Sequence, residues 1–502
     1  MRKIRFQILL LFLPFFILIG QEKDTTKTDE KKVEFLDINK LRKQLDFTFD
    51  DPNFSDAFFG VLVQSLETGE IIYDMNIHKL FIPASNIKLF TTASALLLLG
   101  SNYVYQTDIF YDGYIVNNTL SGDIIVRGSG DPTLSDRFYK DNITKIFEDW
   151  ADSLIKNGIN NIDGNIIGDD NCFDDVGYGK GWVFEYENSW FSAPSGALCF
   201  NDNTIRITIK PTIVNAPAIF NIEPISDYLP IINKVITVDS KAEEKIQIYR
   251  DRISNIVTIY GTIKESTPFL FEHIPVINPT NYFVSVLKSV FEKKGIFISG
   301  YANDIDFEDK IFNYEEMIFL FTHKSNSLKE IVSETNKNSN NFYAEQLIRT
   351  LGWELYNFGS LDNGIKACEE VFEIMAINPE NLYFADGSGL SRLNLVTPRQ
   401  IVNLLSFMYK SDEFKSFYES LPIAGFDGGL AYRMKDTRAE KNVRAKPGYL
   451  IGVVALSGYI NTANGEPLVF SIIINNYLLP AVFANYIQDA VCISLANLYR
   501  AY

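Results

Sequence analysis

The sequence predicts an α+β fold in which one domain is interrupted by a long, β-rich insert. Strand-like runs lie near both ends of the chain, at residues 58–64 and 70–73 and again at 453–461 and 467–475, and helical stretches follow each group. From about residue 101 to 323 the pattern changes to many short β-like runs with recurring turn signals. Elements at the two ends of a chain can pack as layers around one core, so the middle of this chain is expected to be inserted into an outer domain.

A hydrophobic helix near the start of the outer domain is the most distinctive predicted element. Residues 89–99 are strongly apolar, and Gly100 follows as a helix stop. Because the run is apolar on all sides, we expect the helix to be buried inside its domain. Amphipathic helices are expected in the insert near residues 142–157 and 279–294, and a further helix of the outer domain over 340–353.

The bulk composition is that of a globular protein with two or three domains. Its 502 residues exceed one ordinary compact core, and 46% of them are hydrophobic while 22% are charged. The formal net charge of −17 argues against nucleic acid as a partner, because phosphate binding needs clustered lysine and arginine.

The N-terminus has the pattern of a signal peptide, which predicts export to the periplasm. Arg2, Lys3 and Arg5 precede an apolar run over residues 8–19, which is shorter than the ~20 residues that a spanning helix needs. We expect a signal peptide over residues 1–20, a polar linker over 21–32 and no stable membrane span after cleavage. Retention in the membrane without cleavage is the alternative, since the cleavage site matches only in part.

Four cysteines leave the redox state of the chain open. Cys172, Cys199, Cys368 and Cys492 allow three disulfide pairings in an oxidising compartment, and buried free thiols are the alternative. The chain has no Cys-x-x-Cys pair, so neither a metal knuckle nor a redox motif is indicated.

Histidine is scarce, which disfavours a hydrolase of the Ser–His–Asp type. The chain has three histidines, and none of them lies in a recognisable motif: His78, His273 and His323. A serine hydrolase without histidine can use a lysine as its base, provided that burial or nearby cations lower the lysine pKa.

The spacing Ser-x-x-Lys places a serine and a lysine on one face of a helix. Three pairs have this spacing: Ser85 with Lys88, Ser153 with Lys156, and Ser285 with Lys288. The last two fall within amphipathic patterns, where exposed polar residues are the simpler interpretation. Pro83 instead places Ser85 at the start of the buried helix, where backbone N–H groups favour negative charge on the hydroxyl. Burial of the same turn is expected to let Lys88 accept a proton.

Two further motifs strengthen the interpretation of Ser85 and Lys88. The chain has one Ser-x-Asn, formed by Ser339 and Asn341 just before a predicted helix, and a Lys-x-Gly at Lys446–Gly448 that opens the C-terminal strand pair. This order of motifs is the signature of β-lactamases and penicillin-binding proteins. All three motifs lie outside the insert, as a shared active site requires.

With these motifs in place, the sequence resembles the class C penicillin-binding proteins, the S13 family of D-alanyl-D-alanine carboxypeptidases and endopeptidases. The matching stretches span nearly the whole mature chain and include the insert. They lie at residues 83–88, 128–134, 339–341 with 344–345, 386–392, 396–398, 421–425 and 455–459.

The resemblance implies a penicillin-binding transpeptidase-like fold, which serine β-lactamases share. In this fold an antiparallel sheet is flanked by helices and interrupted by two smaller, mainly β insert domains. The catalytic domain is then expected at residues 33–100 and 324–502. The first insert domain is expected at 101–128 and 206–323, and the second, nested in the first, at 129–205.

The resemblance also implies the roles of the first two motifs. Ser85 is expected to attack the carbonyl of a terminal D-Ala-D-Ala peptide and to form an acyl-enzyme that water hydrolyses, with Lys88 as the base. Ser339 is expected to relay a proton to the leaving amine, and Asn341 to hold the substrate amide.

Substrate binding is expected to involve the third motif. The resemblance implies that Lys446 provides positive charge for Ser339 and for the substrate carboxylate, and that Gly448 borders the substrate. The backbone N–H groups of Ser85 and Tyr449 are expected to form the oxyanion hole, in which loss of one donor costs about 3 kcal/mol.

One position departs from the pattern of the family, whose usual motif is Lys-Thr-Gly. Pro447 stands where the threonine hydroxyl normally helps to bind the substrate carboxylate. Proline also lacks a backbone N–H, which is tolerated on an edge strand. We therefore expect weaker carboxylate binding and a preference for endopeptidase over carboxypeptidase substrates.

The expected activity needs no metal and no organic cofactor. Its partners are expected to be peptidoglycan stem peptides and cross-links, with β-lactam antibiotics as inhibitors, and the oligomeric state is left open. A serine β-lactamase shares the three motifs and is the nearest alternative enzyme. A non-catalytic cell-wall-binding or β-lactam-sensing protein is the alternative of another class.

Several glycines and aromatic residues have simpler structural interpretations. Gly387 and Gly389 are expected at turn positions that need a positive φ. Trp182, Trp190 and Phe191 are expected to pack in a core, with stacking on sugar rings as the alternative.

Overall fold

The computed structural model describes residues 36–139, 142–251 and 255–500. The predicted signal peptide and linker lie outside these ranges. Within them, no helix combines the length and the apolarity that crossing a bilayer requires. The helices are α1 Ile38–Phe49, α2 Ile87–Leu99, α3 Lys145–Lys156, α4 Pro279–Lys293, α5 Leu328–Lys337, α6 Asn341–Tyr356, α7 Leu361–Ile374, α8 Pro398–Tyr409, α9 Phe414–Ser420 and α10 Ala481–Ala496.

The strands follow the predicted distribution, with most of them in the middle of the chain. They are β1 Phe58–Ser65, β2 Ile71–Met75, β3 Gln106–Val116, β4 Thr119–Arg127, β5 Asn161–Asp163, β6 Ile166–Asp169, β7 Thr204–Lys210, β8 Ile219–Glu223, β9 Ile231–Val238, β10 Lys245–Arg250, β11 Val257–Lys264, β12 Leu270–Pro275, β13 Phe297–Ile298, β14 Ala302–Asp304, β15 Ile318–Lys324, β16 Arg444–Leu450, β17 Val453–Asn461 and β18 Pro467–Asn475.

A five-stranded antiparallel sheet, called here the main sheet, has the strand order β16–β17–β18–β1–β2. Strand β1 pairs along its whole length with β18, from Phe58 opposite Asn475 to Ser65 opposite Leu468. The first and last strands of the described residues are therefore neighbours, as an interrupted domain requires. The predicted α+β fold, with an antiparallel sheet flanked by helices, is confirmed.

Both faces of the main sheet are buried because successive side chains alternate between two cores. On β1, Val61 and Val63 belong to a core that also contains Leu41 of α1 and Val491 of α10. Leu62 points the other way, into a core with side chains of α2 and of α5 to α8. The N- and C-terminal helices thus cover one face, and the helices that carry the candidate site cover the other.

Helix α2 lies in the interior, as its apolar sequence predicts. Every residue from Ile87 to Leu96 is buried, and the helix ends at Gly100, whose φ is +80°. Two of its buried hydroxyls have acceptors, since Thr91 Oγ1 donates to the carbonyl of Gly387 and Thr92 Oγ1 donates to the carbonyl of Lys88, each at 2.6 Å. A helix enclosed on all sides holds the residues of its first turn in fixed positions.

The segment between α2 and α5 forms three further sheets and its own core. One sheet joins β3, β4 and β15 with β5, β6, β13 and β14, and the others have the orders β10–β11–β9 and β12–β7–β8. Helices α3 and α4 contribute Phe147 and Phe283 to this core. Strands β5 and β6 pair with β4, so this sheet contains strands from both sides of residue 128, where we expected one insert domain to give way to the other. The expected boundaries of the two insert domains stay a prediction.

The cysteines are free thiols, which decides between the two alternatives left by the sequence. All four are buried and unpaired: Cys172, Cys199, Cys368 and Cys492. Burial raises the pKa of each thiol, because the apolar surroundings disfavour the thiolate.

We expect the folded protein to be unreactive towards a thiol reagent such as Ellman's reagent. Four thiols should react once the protein is unfolded in denaturant without reductant, because each is buried and free. Absorbance measures both counts. Two reactive thiols in denaturant, rising to four after reduction, would instead reveal a disulfide.

Candidate active site

Ser85 lies on a tight turn that leads into helix α2. Residues Ala84–Asn86 form a turn of 3-10 helix, and α2 continues from Ile87. Ala84 has a φ of +47°, a conformation that residues other than glycine adopt rarely and only where surrounding contacts impose it. One such contact is the hydrogen bond from Asn86 Nδ2 to the carbonyl of Lys446, 2.8 Å long. The turn is therefore joined directly to the edge strand of the main sheet.

Lys88 is fully buried one helical turn after Ser85 and directs its amine back towards it. Lys88 Nζ lies 3.1 Å from Ser85 Oγ, 2.7 Å from Asn341 Oδ1 and 2.5 Å from the carbonyl oxygen of Ser388. Burial lowers the pKa of Lys88 to about 7, although the negative charges of Asp386 and Glu345 oppose this change.

These three contacts define what the Lys88 amine can do. A charged ammonium has three N–H groups, one for each acceptor. A neutral amine has two N–H groups and a lone pair, and two of the neighbours, Asn341 Oδ1 and the Ser388 carbonyl, can act only as acceptors. When the amine loses its proton, both N–H groups are held by those acceptors and the lone pair faces Ser85 Oγ. The geometry thus suits removal of the hydroxyl proton by Lys88.

Ser339 and Lys446 form a second polar pair beside the first. Ser339 connects α5 to α6 with a φ of +55°, and Lys446 Nζ donates to Ser339 Oγ at 2.8 Å. The same amine donates to the carbonyl of Pro447 at 2.9 Å. Burial, with the nearby positive charge of Lys88, holds the pKa of Lys446 well below its usual range. A lysine in this state can exchange protons with the Ser339 hydroxyl.

Alternate backbone groups of the edge strand β16 point away from its neighbour β17. The N–H of Ala445 points away from β17 and donates to the carbonyl of Pro422. Because backbone direction alternates along a strand, the N–H of Tyr449 also points away from β17. Pro447 lies midway between Ala445 and Tyr449, where a backbone N–H would also point away from β17. The sheet therefore loses no hydrogen bond because proline lacks this group.

The loop of residues 386–391, called here the Asp386 loop, forms the remaining wall of the site. The buried carboxylate of Asp386 accepts hydrogen bonds from the backbone N–H groups of Gly389 and Ser391 at 2.8 and 2.7 Å. It also accepts from the side chains of Asn394 and Trp182. One carboxylate therefore organises the whole loop.

Gly389 lies against the turn that carries Ser85, where no side chain can fit. Its φ is +83°, and a Cβ at this position would lie 2.0 Å from the carbonyl oxygen of Ala84 and 3.0 Å from the backbone nitrogen of Ser85. The predicted positive φ is thus confirmed for Gly389. It is wrong for Gly387, where the requirement is space, since a Cβ would lie 2.6 Å from the carbonyl oxygen of Ala344.

A cavity of about 680 Å³ opens over these residues. Its lining includes five of the residues predicted from the sequence: Ser85, Ser339, Asn341, Gly448 and Tyr449. Lys88 and Lys446 are buried behind its wall. Trp190 and Phe191 form an aromatic side of the cavity, so the expectation of core packing is wrong for Trp190, which is 49% exposed. An apolar residue that borders a cleft has the same sequence signal as one inside a core.

The other two Ser-x-x-Lys pairs take no part in this site. Neither pair lines the cavity, and Lys288 forms an ion pair with Glu292 on its own helix. Three carboxylates elsewhere, Asp170, Asp304 and Asp306, lie within 4.8 Å of one another, also apart from the cavity.

Sequence reasoning did not find every group that contacts Lys88. The Ser388 carbonyl is a backbone group, and no residue pattern identifies it. The family resemblance did mark the stretch that contains Ser388, because residues 386–392 are among the matching stretches.

The fold and the site define a class, the penicillin-binding serine hydrolases, and comparison with known proteins agrees with it. The model of the D-Ala-D-Ala carboxypeptidase 3 (S13) family matches residues 41–498. The chain therefore belongs to this family and is a serine-type peptidase.

Individual relatives match over most of their length. The D-alanyl-D-alanine carboxypeptidase of Actinomadura sp. strain R39 is 30% identical over 92% of this chain and 85% of its own. Penicillin-sensitive carboxypeptidase A of Dictyostelium discoideum is 30% identical over 81% of this chain and 80% of its own. The crystal structure of penicillin-binding protein 4 (DacB) from Haemophilus influenzae superposes with a TM-score of 0.77 at 25% identity, covering 91% of this chain and 98% of that one.

We expect Gly389→Ala to lower the rate of acylation by a β-lactam roughly 100-fold, because its Cβ must displace the backbone at Ser85. Gly69→Ala is the matched control, since Gly69 has a similar φ of +76° but no atom within 4 Å of an added Cβ. Stopped-flow fluorescence measures both rates. Equal rates in the two variants would show that the close approach is unimportant.

Proposed function

We propose that the protein is a D,D-peptidase that cleaves D-Ala-D-Ala stem peptides or D-Ala cross-links of peptidoglycan through an acyl-enzyme on Ser85. The observation that carries the proposal is the 3.1 Å contact between Lys88 Nζ and Ser85 Oγ, in a site where both N–H groups of a neutral Lys88 already have acceptors. Membership of the S13 family supports the same chemistry.

In the acylation step, Ser85 Oγ attacks the carbonyl carbon of the penultimate D-alanine while its proton passes to Lys88. A tetrahedral intermediate forms with negative charge on the former carbonyl oxygen. The backbone N–H groups of Ser85 and Tyr449 are proposed to stabilise this oxyanion, which is consistent with the outward direction of the Tyr449 N–H. Gly448 allows strand β16 to approach Ser85 closely, because a Cβ at Gly448 would lie 3.0 Å from the backbone nitrogen of Ser85.

Collapse of the intermediate breaks the C–N bond and leaves an ester on Ser85. The leaving amine needs a proton, and Ser339 is proposed to deliver it, since its hydroxyl is held by Lys446 Nζ at 2.8 Å. Asn341 contributes to substrate binding from the same side. Its Nδ2 donates to the carbonyl of Phe191 at 2.9 Å and has a second N–H for the amide of the peptide. Water then hydrolyses the ester.

Inhibition by β-lactams is expected from the same chemistry. A β-lactam that acylates Ser85 keeps its leaving group attached, so it can remain in the cavity and obstruct the attack of water. The H. influenzae relative has been crystallised in complex with a β-lactam. A peptidoglycan substrate implies an exported protein, so we propose a periplasmic location in agreement with the N-terminal pattern.

We expect Ser85→Ala to abolish both labelling by a fluorescent penicillin and release of D-alanine from a stem pentapeptide. Ser153→Ala is the matched control, since Ser153 has the same spacing to a lysine but does not line the cavity. Gel fluorescence and a D-alanine assay measure the two effects.

The same assay distinguishes the alternatives. Durable labelling with turnover of peptide supports the peptidase, and rapid loss of the label would favour a serine β-lactamase. Labelling without turnover of any muropeptide would favour a sensor, whereas no labelling at all would refute the acyl-enzyme.

A preference for cross-links over free D-Ala-D-Ala termini is the finer part of the proposal. Pro447 supplies no hydroxyl for a terminal carboxylate, and its ring packs closely against Gly429, where a Cβ would lie 2.7 Å from Pro447 Cγ. The wall beside Lys446 is therefore apolar where this family usually has a hydrogen-bond donor. A leaving group without a carboxylate at this point needs no hydrogen bond from a hydroxyl. Its binding is therefore weakened less by Pro447 than the binding of a terminal D-alanine.

We expect Pro447→Thr to raise kcat/KM for a free D-Ala-D-Ala peptide about 10-fold, the effect of one added hydrogen bond to a carboxylate of about 1.5 kcal/mol. Activity on a cross-linked dimer should change much less. Pro467→Thr, on β18 and away from the cavity lining, serves as the control. Equal gains on both substrates would contradict a role in carboxylate recognition.

A further inference from the structure

The carbonyl that binds Lys88 belongs to a peptide unit that is itself held by a carboxylate. The peptide between Ser388 and Gly389 presents its oxygen to Lys88 Nζ at 2.5 Å. Its N–H, on Gly389, donates to Asp386 Oδ1 at 2.8 Å. Hydrogen bonds in such a chain polarise one another, so the anion on one side makes the carbonyl on the other a better acceptor.

A second buried carboxylate holds the same loop from helix α6. Glu345 follows Asn341 by one helical turn, so both side chains lie on the face of α6 that meets Lys88. Glu345 is fully buried, and its Oε1 accepts a hydrogen bond from the backbone N–H of Ser388 at 2.9 Å. Its other oxygen, Oε2, has no hydrogen-bond partner among the described residues.

The charges around Lys88 come from three directions. Asp386 lies in the Asp386 loop, Glu345 on α6 and Lys446 on β16. Arg349 also lies on α6, with Nη1 3.5 Å from Glu345 Oε2, which is too long for a strong ion pair. Burial raises the pKa of Glu345 to about 7, and the charge of Asp386 adds to this increase while Arg349 opposes it. Arg349 therefore neutralises the negative charge of Glu345 only in part, and the remaining charge acts on Lys88.

We propose that Glu345 is a positioning residue for Lys88, which it serves in two separable ways. Its hydrogen bond to the Ser388 N–H fixes the carbonyl that orients the amine, and its negative charge holds the proton on Lys88. This inference rests on the proposed function of Lys88 as the base.

The two roles have different consequences for the pH dependence of acylation. A general base must be neutral, so acylation increases with pH through the pKa of Lys88, about 7. A negative charge nearby favours the ammonium and raises this pKa. Removal of the charge therefore moves the rise of the profile to lower pH. A misplaced carbonyl instead lowers the rate at the plateau, because the lone pair of the amine no longer points at Ser85.

Two substitutions separate these effects. Glu345→Gln keeps an oxygen acceptor for Ser388 and removes the charge, and its new amide N–H groups replace an oxygen that has no partner. Glu345→Asp keeps the charge but withdraws it by one methylene, which breaks the hydrogen bond. Glu354→Gln is the matched control on the same helix, because Glu354 accepts from Tyr103 and does not contact the Asp386 loop.

The experiment measures the rate of acylation by a fluorescent penicillin from about pH 5 to 9, with thermal unfolding to verify that each variant is folded. We expect Glu345→Gln to move the rise of the profile down by roughly half to one pH unit, since a neighbouring charge shifts a pKa by about one unit or more and Glu345 is itself partly protonated. Glu345→Asp should lower the plateau by about 10-fold and move the rise much less. Glu354→Gln should match the wild type.

The inference is overturned if the profile of Glu345→Gln coincides with those of the wild type and Glu354→Gln. It is equally overturned if Glu345→Asp reaches the plateau of the wild type. Failure of the proposed function would look different, because labelling would then be absent or would persist in Ser85→Ala. Labelling that depends on Ser85 and increases with pH near 7 in the wild type, together with unchanged Glu345 profiles, would refute only the role of Glu345.

Discussion

Burial of the Lys88 amine is the constraint on which the rest of the site depends. An amine removed from water is costly to charge, and it is tolerated here because each of its possible N–H groups has an acceptor. These acceptors come from the turn that carries Ser85, from helix α6 and from the Asp386 loop. The three segments are far apart in the chain, so a single side chain fixes their relative positions. In a water-filled site, solvent would accept hydrogen bonds from the amine in any orientation. Lys88 would then impose no fixed positions on the three segments.

The second lysine extends the same principle. Lys446 is also fully buried, and its charge and that of Lys88 disfavour each other. Burial lowers the pKa of both amines below that of an ordinary surface lysine, so each loses its proton more readily. One of them contacts Ser85 and the other contacts Ser339. The site thereby has one amine for each serine, and proton transfer at either serine does not require a histidine.

The sequence predicted the outer part of the fold closely, because local patterns determine it. Strands β17 and β18 occupy the predicted ranges, and the buried helix α2 begins two residues before its predicted start. Ser85, Ser339 and Lys446 were found through short motifs. The motifs did not identify the Ser388 carbonyl, or the hydrogen bonds by which Asp386 and Glu345 hold its loop. Both depend on backbone direction and on contacts between distant segments. The exposure of Trp190 and the free state of the thiols also depend on tertiary distances.

Pairing of β1 with β18 makes the order of synthesis matter for this protein. Ser85 is synthesised early. Lys446, on strand β16, follows 360 residues after Asn86, whose side chain binds that strand. A chain that ends before β16 therefore contains Ser85 without its binding wall. A chain that ends before β18 leaves β1 and β17 as unpaired edges, which are liable to associate with other chains. Truncation near the C-terminus is thus expected to remove the hydrolase completely rather than leave a weakened one.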